Sequence, residues 1–309
     1  MQKTKIINAI YYKLKPLMPR WFQLWLRRRV ILAKKPLYKD VWPILESAGD
    51  KPEKFDAWPD GKDFAVVLTH DVEKQKGHDR CERLMQLEKE LGFVSLFNFV
   101  PERYKVSPQL RKLLEEQGFE VGVHGLNHDG TLFQSKKIFD ERAPKINQYI
   151  EEWNVVGFRS PAMHHNLDWI HELDLEYDLS TFDTDPFEPQ AEGVGTIFPF
   201  WVSKNGKGYV EMPYTIAQDF TPYVLMKEPT IEVWKRKVDW IVKKGGMILV
   251  NTHPDYMSLD GKKPGLEEFP VAMYLELLNY IKTEYKDRYW HVLPKELATF
   301  WKEKVEQIN

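Results

Sequence analysis

Short apolar runs alternate with longer amphipathic stretches from residue 64 to the end of the chain. The runs have the length and the β-branched and aromatic content of buried strands, and the longer stretches have the apolar spacing of helices. The predicted strands are 64–70, 94–100, 119–124, 155–160, 177–183, 209–215, 247–253 and 289–293. The predicted helices are 78–91, 107–117, 135–152, 165–173, 230–244, 268–285 and 294–306. Strands and helices that alternate in this way indicate an α/β fold with a parallel sheet or barrel.

The residues before this alternating region have a different composition. Residues 1–39 hold eleven Lys or Arg and no Asp or Glu, and residues 40–63 contain the prolines and glycine that are typical of a connector. We predict that residues 64–309 form one large domain, in which residues 184–208 are a long loop that could cover a site. The chain is therefore expected to consist of a basic N-terminal segment, a connector and a single barrel domain.

Charge is distributed unevenly between these parts. The 309 residues carry a formal net charge of −2, but residues 40–309 hold 33 basic and 46 acidic side chains and therefore carry −13. Nonspecific binding to nucleic acid needs a basic face, so we expect no nucleic-acid partner for this part of the chain. The single cysteine, Cys81, excludes a disulfide within the chain.

The basic N-terminal segment also contains apolar and aromatic side chains, with Trp21 and Trp25 close to Arg27, Arg28 and Arg29. Its apolar runs are shorter than the ~20 residues that span a bilayer, and no signal-peptide cleavage pattern follows them. One interpretation is a helix on a membrane surface, where each basic residue near anionic lipid adds about 1 kcal/mol. The alternative is a cationic arm that packs on the acidic body.

Several predicted strands end in ionisable residues, at the position where barrels place their active sites. Asp71 and Glu73 follow the first strand and should point to one side of an extended chain, whereas His70 should point away. His124 and His128 end the third strand, with a spacing that lets two side chains of a helical turn share an ion. Two histidines and a carboxylate with open positions suit zinc or another first-row metal.

Two further strand ends carry groups suited to proton transfer and orientation. His253 could protonate a leaving amine. Arg159 could hold Asp71 through a forked pair of hydrogen bonds. Asp183 or Asp185 could orient His253 or Arg159, and the sequence does not choose between them. Each residue also fits an ordinary structural role, as a strand-end hydrogen-bonding partner, a salt bridge or a turn cap.

The strand-end segments occur in a recognisable order. They are Thr69-His70-Asp71-Val72-Glu73, His124-Gly125-Leu126-Asn127-His128, Gly157-Phe158-Arg159-Ser160-Pro161, Tyr177-Asp178-Leu179-Ser180, Glu211-Met212-Pro213 and Thr252-His253-Pro254. In this order they resemble the motifs of the polysaccharide deacetylases, carbohydrate esterase family 4, whose domain is of the chitooligosaccharide-deacetylase type. The resemblance implies a distorted (β/α) barrel with seven or eight strands. The common first motif has two adjacent aspartates, whereas here Val72 separates Asp71 from Glu73, as in an Asp-x-Asp variant subgroup.

The resemblance also implies a role for each residue of the site. Asp71 is the expected base, Arg159 steadies it, and His253 is the expected acid. The expected ligands of a divalent metal ion, in the first place Zn²⁺, are Glu73, His124 and His128. Apart from the resemblance, Trp169, Trp201 and Tyr214 could each offer a flat stacking surface to a sugar ring, and we expect Pro161, Tyr214 and Trp201 to bind substrate.

Together these roles predict a metal-dependent hydrolase that removes an N-acyl group, in the first place acetyl, from an amino sugar of a cell-surface glycan or its precursor. The expected partners are a carbohydrate and a membrane surface contacted through residues 1–39. Similar leaders precede deacetylase-like proteins that act on glycan precursors, so we expect a cytoplasmic protein at the inner membrane face. One alternative is a hydrolase of another C–N bond, of the deformylase or cyclic-amide type. Another is a glycan-binding barrel with a damaged site, which Glu73 favours. The oligomeric state stays open.

Overall fold

The computed structural model describes residues 18–53 and 55–306. Its strands are β1 (Phe64–Val72), β2 (Leu96–Phe99), β3 (Glu120–His124), β4 (Gly157–Arg159), β5 (Tyr177–Asp178), β6 (Phe200–Lys204), β7 (Lys207–Glu211), β8 (Met247–Thr252), β9 (Met257–Ser258), β10 (Phe269–Pro270) and β11 (Tyr289–His291). Its helices are α1 (Arg20–Lys34), α2 (Gln75–His78), α3 (Cys81–Leu91), α4 (Pro108–Glu116), α5 (Lys136–Trp153), α6 (Leu167–Ile170), α7 (Glu232–Lys244), α8 (Val271–Glu284) and α9 (Pro294–Glu306). A π-helical segment, Phe220–Met226, precedes α7.

Nine of these strands form a largely parallel sheet that curves into a distorted barrel, and β9 and β10 pair separately. Strands β8, β1, β2, β3, β4 and β5 pair side by side in parallel. The chain after β7 closes the gap between β5 and β8 through two isolated bridges, Phe182 with Tyr214 and Ile216 with Val250. The barrel is therefore closed here by isolated bridges and not by a regular strand pair. The predicted α/β barrel with seven or eight strands is confirmed.

The barrel strands were predictable because they are buried on both faces. Every residue of β1, from Phe64 to Val72, is buried, and β8 is equally buried over its whole length. Such strands have continuous apolar sequences, as parallel strands under covering helices do. The predicted helix 294–306 coincides with α9, and the other predicted elements overlap observed ones with shifted ends.

One loop prediction was wrong in part. Within the predicted long loop 184–208, residues Phe200–Lys204 form β6, which pairs antiparallel with β7. β6 is an edge strand with partly or fully exposed side chains, and its short apolar run, Phe200-Trp201-Val202, follows Pro199 in a stretch that also contains Gly and Asn. The predicted strand 177–183 is likewise shorter than expected, because only Tyr177 and Asp178 pair as a strand.

The N-terminal helix packs against the barrel domain through one face. The buried residues of α1 are Gln23, Leu24 and Ile31, and the helix lies against the π-helical segment. Ion pairs join Arg20 to Glu267 and Lys35 to Glu228. Packing of the cationic arm on the body is therefore confirmed for this face of α1, and residues 1–17 of the predicted segment lie outside the described residues. None of the helices described here has the length and apolarity that crossing a membrane would require.

The predicted connector is packed against the barrel domain. The indole N–H of Trp58 donates to the carbonyl oxygen of Gly245 at 2.8 Å. The ring of Phe55 stacks on that of Trp301 in α9, with a centroid separation of 5.2 Å, and also contacts Phe198. Residues 40–63 therefore contribute to the core, although the predicted domain boundaries themselves stay predictions.

Candidate active site at the carboxyl ends of the strands

Five of the predicted site residues lie at the carboxyl ends of parallel strands. Asp71 is next to last in β1, and Glu73 follows that strand directly. His124 and Arg159 are the last residues of β3 and β4, and His253 follows β8. Carboxyl ends of parallel strands open at one end of a barrel, so these side chains meet there.

Asp71 is a buried carboxylate surrounded by hydrogen-bond donors. Its Oδ1 accepts from Asn98 and from Arg159, both at 3.1 Å, and its Oδ2 accepts from Asn251 at 2.8 Å. Burial by itself would raise the pKa of Asp71, but the charges of Arg159 and His253 and the amide of Asn251 outweigh it and lower the pKa well below its ordinary value. Asp71 is therefore ionised at neutral pH.

Arg159 is fully buried and contacts Asp71 through a single nitrogen. Its Nη1 also lies 2.8 Å from Thr69 Oγ1 and 2.7 Å from Asn251 Oδ1, and its Nε donates to the Leu179 carbonyl. Its Nη2 has no hydrogen-bond partner among the described residues. The expected forked pair with Asp71 is therefore wrong, because three acceptors share one end of the guanidinium.

Glu73 lies on the same side of β1 as Asp71. Its Oε2 accepts from the hydroxyl of Tyr256 at 2.6 Å, and its Oε1 lies 3.1 Å from His128 Nε2 and 3.9 Å from His253 Nε2. The predicted direction of His70 is confirmed. Its ring nitrogens lie 2.8 Å from Thr252 Oγ1 and from Glu88 Oε1, in a buried contact away from the two acids.

His124 is buried in a defined tautomer. Its Nδ1 lies 3.0 Å from the carbonyl oxygen of Arg159, which can only accept, so Nδ1 carries the proton. The Nε2 lone pair then faces Asp71, whose Oδ2 is 3.9 Å away. Burial lowers the pKa of His124 to about 4 and keeps the ring neutral. A neutral histidine held by a backbone carbonyl has the form in which histidines bind metal ions.

His128 stands beside His124 in a left-handed backbone conformation. Its φ is +53°, and the two imidazole centroids are 5.1 Å apart. The buried Nε2 of His128 lies 3.1 Å from Glu73 Oε1, and it makes no hydrogen bond of good geometry among the described residues. A buried nitrogen without a partner is costly unless another group satisfies it.

These observations bear on whether the predicted ligands fit a metal ion. The donor types fit, because His124 presents a lone pair and His128 an unpaired buried nitrogen beside the carboxylate of Glu73. Among residues 18–53 and 55–306, however, no group of three or more His, Cys, Asp or Glu side chains is arranged so that it could hold an ion. The three residues therefore lie near one another, and their role as ligands stays a prediction.

His253 is held by a carboxylate that was not predicted. Asp219 accepts from the backbone N–H of His253 at 2.8 Å and lies 2.7 Å from its Nδ1. Burial would lower the pKa of His253, but the charge and hydrogen bond of Asp219 and the nearby Glu73 raise it to about 10. His253 is therefore protonated, with Nε2 directed towards the side where Glu73 lies.

The two aspartates proposed to orient His253 or Arg159 do neither. Asp183 is paired with Lys237, and both side chains are buried. Asp185 Oδ2 is 3.3 Å from the hydroxyl of Tyr214. That expectation was wrong, because the carboxylate that contacts His253 is Asp219.

The three predicted substrate-binding residues have different surroundings. Pro161 lines a small pocket with His128 and His164. Tyr214 is buried, with its ring against Phe182 and its hydroxyl 3.1 Å from Glu188 Oε1. Trp201 is partly buried on the edge strand β6, where it packs over Gly208.

Only Pro161 is therefore beside the histidines, and the buried ring of Tyr214 has no open face for a sugar. Trp169, the further candidate for stacking, packs against Phe133 and Phe139. Binding by these residues stays a prediction.

Sequence reasoning missed four residues that contact the site: Asn98, Asp219, Asn251 and Tyr256. Asn98 and Asn251 interrupt otherwise apolar strands, and both donate to Asp71. A polar residue within a buried strand must find a hydrogen-bond partner, so this interruption was the available signal. The sequence offers no comparable signal for Asp219 or Tyr256.

The sequence matches no family model and no curated protein. Solved structures do match. A protein from Mycobacterium smegmatis assigned as a polysaccharide deacetylase has a TM-score of 0.64 at 19% identity, with 82% of this chain and 96% of that chain covered. The Puue allantoinase has a TM-score of 0.63 at 15% identity, with 82% and 94% covered.

A third solved structure, from Pseudomonas aeruginosa PAO1, is also assigned as a polysaccharide deacetylase. It has a TM-score of 0.62 at 14% identity, with 82% of this chain and 95% of that chain covered. Similarity at these identities establishes the fold. The chain therefore has the barrel fold of solved polysaccharide deacetylase and allantoinase structures, as the order of its motifs predicted.

Proposed function

We propose that the protein is a metal-dependent hydrolase that removes an N-acyl group, in the first place acetyl, from an amino sugar of a cell-surface glycan or its precursor. The observation that carries the proposal is that Asp71, held by three hydrogen-bond donors, and His253, held by Asp219, lie at the same end of the barrel. Amide hydrolysis needs a base for the attacking water and an acid for the leaving amine.

Asp71 is the base in this proposal. Three donors hold its oxygens in place, so the carboxylate is positioned to orient a water molecule and accept its proton. Arg159 is a positioning residue, because it is buried and acts through its contact with Asp71.

His253 is the acid. Its Nδ1 is bound to Asp219, so the free Nε2–H is the group that can donate a proton to the leaving nitrogen. General acid–base catalysis of this kind contributes roughly 10²–10⁴-fold to the rate. The proton that Asp71 takes from water and the proton that His253 gives to the amine balance over one turnover.

Glu73, His124 and His128 would hold the divalent metal ion, for which Zn²⁺ is the first candidate because of the histidine and carboxylate donors. When bound, such an ion polarises a carbonyl and lowers the pKa of water. The support is the unpaired Nε2 of His128 and the lone pair that His124 directs towards Asp71.

The carbohydrate part of the proposal is supported by the motifs and by two solved structures of the same fold that are assigned as polysaccharide deacetylases. A second candidate is hydrolysis of a cyclic amide, because the fold is shared almost as closely with an allantoinase. Both reactions break a C–N bond next to a carbonyl and require the same acid and base.

One experiment tests the metal and the substrate together. The purified full chain, loaded with Zn²⁺ and freed of excess metal, is incubated with N-acetylglucosamine oligomers, an N-formyl amino sugar and allantoin. We expect one metal ion per chain by mass spectrometry and release of acetate from the oligomers. Formate release or opening of the allantoin ring, without acetate release, would indicate a hydrolase of another C–N bond. Metal binding without any hydrolysis would favour a glycan-binding barrel with a damaged site.

Variants locate the metal. His128→Ala is expected to lose the ion and the activity together. His171→Ala is the matched control, because His171 packs against Tyr209 on a different part of the barrel domain. Full zinc occupancy in His128→Ala would refute the ligand assignment.

A further inference from the structure

The exposed large apolar side chains of the described residues are concentrated in one place. Six such side chains are exposed, and five of them belong to α1 or the turn that follows it. These are Trp21, Trp25, Val30, Leu32 and Leu37, with exposed fractions of 60%, 47%, 46%, 39% and 78%. The sixth, Leu266, is next to Glu267, which pairs with Arg20 of α1. Single exposed apolar residues are ordinary, but a cluster of this kind marks an interaction surface.

The outer face of α1 combines tryptophan, leucine and arginine. Trp21, Trp25, Arg28, Arg29 and Leu32 are exposed and follow the spacing of one helix face. The guanidinium of Arg29 lies 5.4 Å from the ring of Trp25. We call these five residues the outer face of α1. The opposite face is buried against the body, so α1 is already fixed in place while its outer face is open.

The distribution of charge along the chain indicates what kind of partner the outer face of α1 would bind. Residues 1–39 contain eleven basic and no acidic residues, whereas the rest of the chain carries −13. Anionic lipid would attract the outer face of α1 and repel the body, which sets one orientation. Tryptophan next to arginine is also the combination that lies at the level of lipid headgroups.

The outer face is close to the candidate active site. On the inner side of α1, the guanidinium of Arg27 lies 5.1 Å from the ring of Phe220, and that ring is 4.8 Å from the ring of Tyr256. Tyr256 in turn donates to Glu73. Three contacts therefore connect the helix to the carboxyl ends of the strands.

We propose that the outer face of α1 docks the protein onto an anionic lipid surface, with α1 lying in the plane of the headgroups and the candidate active site close to the bilayer. The apolar side chains supply burial in the interface, and the arginines supply attraction to anionic headgroups. Both are needed, so binding requires anionic lipid and falls as salt screens the charges.

The test is co-sedimentation of the full chain with vesicles. We expect binding to vesicles of phosphatidylcholine with a third of phosphatidylglycerol, and weak binding to phosphatidylcholine alone. Arg28→Gln with Arg29→Gln should lower the partition coefficient roughly thirtyfold. Trp21→Ala with Trp25→Ala should lower it roughly tenfold or more. The lysines of residues 1–17 are unchanged in both variants, so binding should weaken and not vanish.

A charge-matched control separates docking from general attraction. Lys112→Gln with Lys137→Gln removes the same charge from α4 and α5, where the two side chains are 76% and 85% exposed, and it should bind like the wild type. Equal loss in this control, or full binding by the tryptophan variant, would overturn the proposal.

The tryptophan face could instead pair with a second copy of the chain. Sedimentation of the wild type without lipid distinguishes the two, because a dimer that dissociates in the tryptophan variant, together with no vesicle binding, would overturn lipid docking. Circular dichroism of each variant checks that α1 and the barrel are intact. Hydrolysis of a soluble substrate is measured separately, so failure of docking and failure of the proposed activity are distinguishable.

Discussion

A carboxylate buried as deeply as Asp71 stays charged only where its neighbours replace the water that it has lost. Asn98, Asn251 and Arg159 do this, with three donors directed at two oxygens. The guanidinium of Arg159 is buried too, and Asp71 is the negative charge that it contacts. Each charge therefore offsets the cost of burying the other. Removing either charge alone should destabilise the folded protein.

Replacing Asp71 by Asn tests this dependence. The NH₂ group of the substituted side chain would face the N–H donor of Asn98 or Asn251. Arg159 would also lose its negatively charged partner. We expect Asp71→Asn to abolish hydrolysis and to lower the free energy of unfolding by about 3–5 kcal/mol, measured by urea denaturation. Asp129→Asn, which removes an acid paired with the partly exposed Arg142, is the control and should cost far less. An Asp71→Asn variant as stable as the wild type would contradict the argument.

Asp219 acts through His253 and is therefore a positioning residue. Asp219→Asn removes the charge that keeps the imidazolium favoured, so kcat should fall roughly 10- to 100-fold while KM changes little. Because Asp219 raises the pKa of His253 to about 10, the alkaline limb of the rate profile should move to lower pH in the variant. Asp219→Glu should restore part of the rate. A fall in kcat without movement of the alkaline limb would mean that Asp219 is only structural.

The sequence predicted which residues lie at the candidate site where an ionisable residue is at the end of a strand, as Asp71, His124 and His253 are. Their partners were not predictable in the same way. Asp219 lies far from His253 in the sequence, and the side chain that reaches the imidazole depends on how the chain before the π-helical segment folds back. Asp183, nearer to a predicted strand end, is instead neutralised by Lys237.

At the level of elements, six of the eight predicted strands overlap strands that the fold buries completely. Residues 247–250 form a continuous apolar run, and β8 matches the prediction almost to the residue. By contrast, the side chains of β6 are only partly buried or are exposed, and the strand is defined by its pairing with β7. Strands at the edge of a sheet depend on their neighbour, which a single segment of sequence does not reveal.

Glu120, the first residue of β3, should make the free energy of unfolding depend on pH. Its carboxylate is buried and accepts from Tyr177 at 2.6 Å and from the Lys295 backbone at 3.2 Å. Burial outweighs these bonds and raises its pKa from 4.5 to about 7. Between these two values the folded state binds more protons than the unfolded state, so Glu120 makes stability fall as pH rises.

Glu120→Gln should remove this dependence. Relative to the wild type, the variant should gain about 3 kcal/mol of unfolding free energy as the pH rises from 4.5 to about 8. Urea denaturation at four pH values measures the difference. Glu115→Gln on the exposed side of α4 is the control and should follow the wild type at every pH. A constant difference between Glu120→Gln and the wild type would show that Glu120 is not the titrating group.

At the scale of the whole molecule, segments that flank the barrel in sequence complete it in space. The connector supplies Phe55 and Trp58 to an aromatic cluster with Phe198 and Trp301, and α1 covers the π-helical segment beside the candidate site. Composition distinguishes these segments from the barrel but does not show that they pack on it. Prolines mark both a flexible linker and a well-packed irregular segment, so only the contacts of the connector decide between the two.

Trp58 allows the role of the connector to be measured. Its side chain is buried, its indole N–H bonds to Gly245, and its ring contacts Trp290, Phe300 and Trp301. Truncation of a buried tryptophan costs about 3–5 kcal/mol, so Trp58→Ala should lower the single melting transition of the full chain in calorimetry. Trp21→Ala, at a site that is 60% exposed, is the matched control and should leave the transition unchanged. If residues 40–63 were only a tether for an independent domain, Trp58→Ala would melt like the wild type. A shift of the whole transition would instead place the structural boundary of the barrel before residue 58.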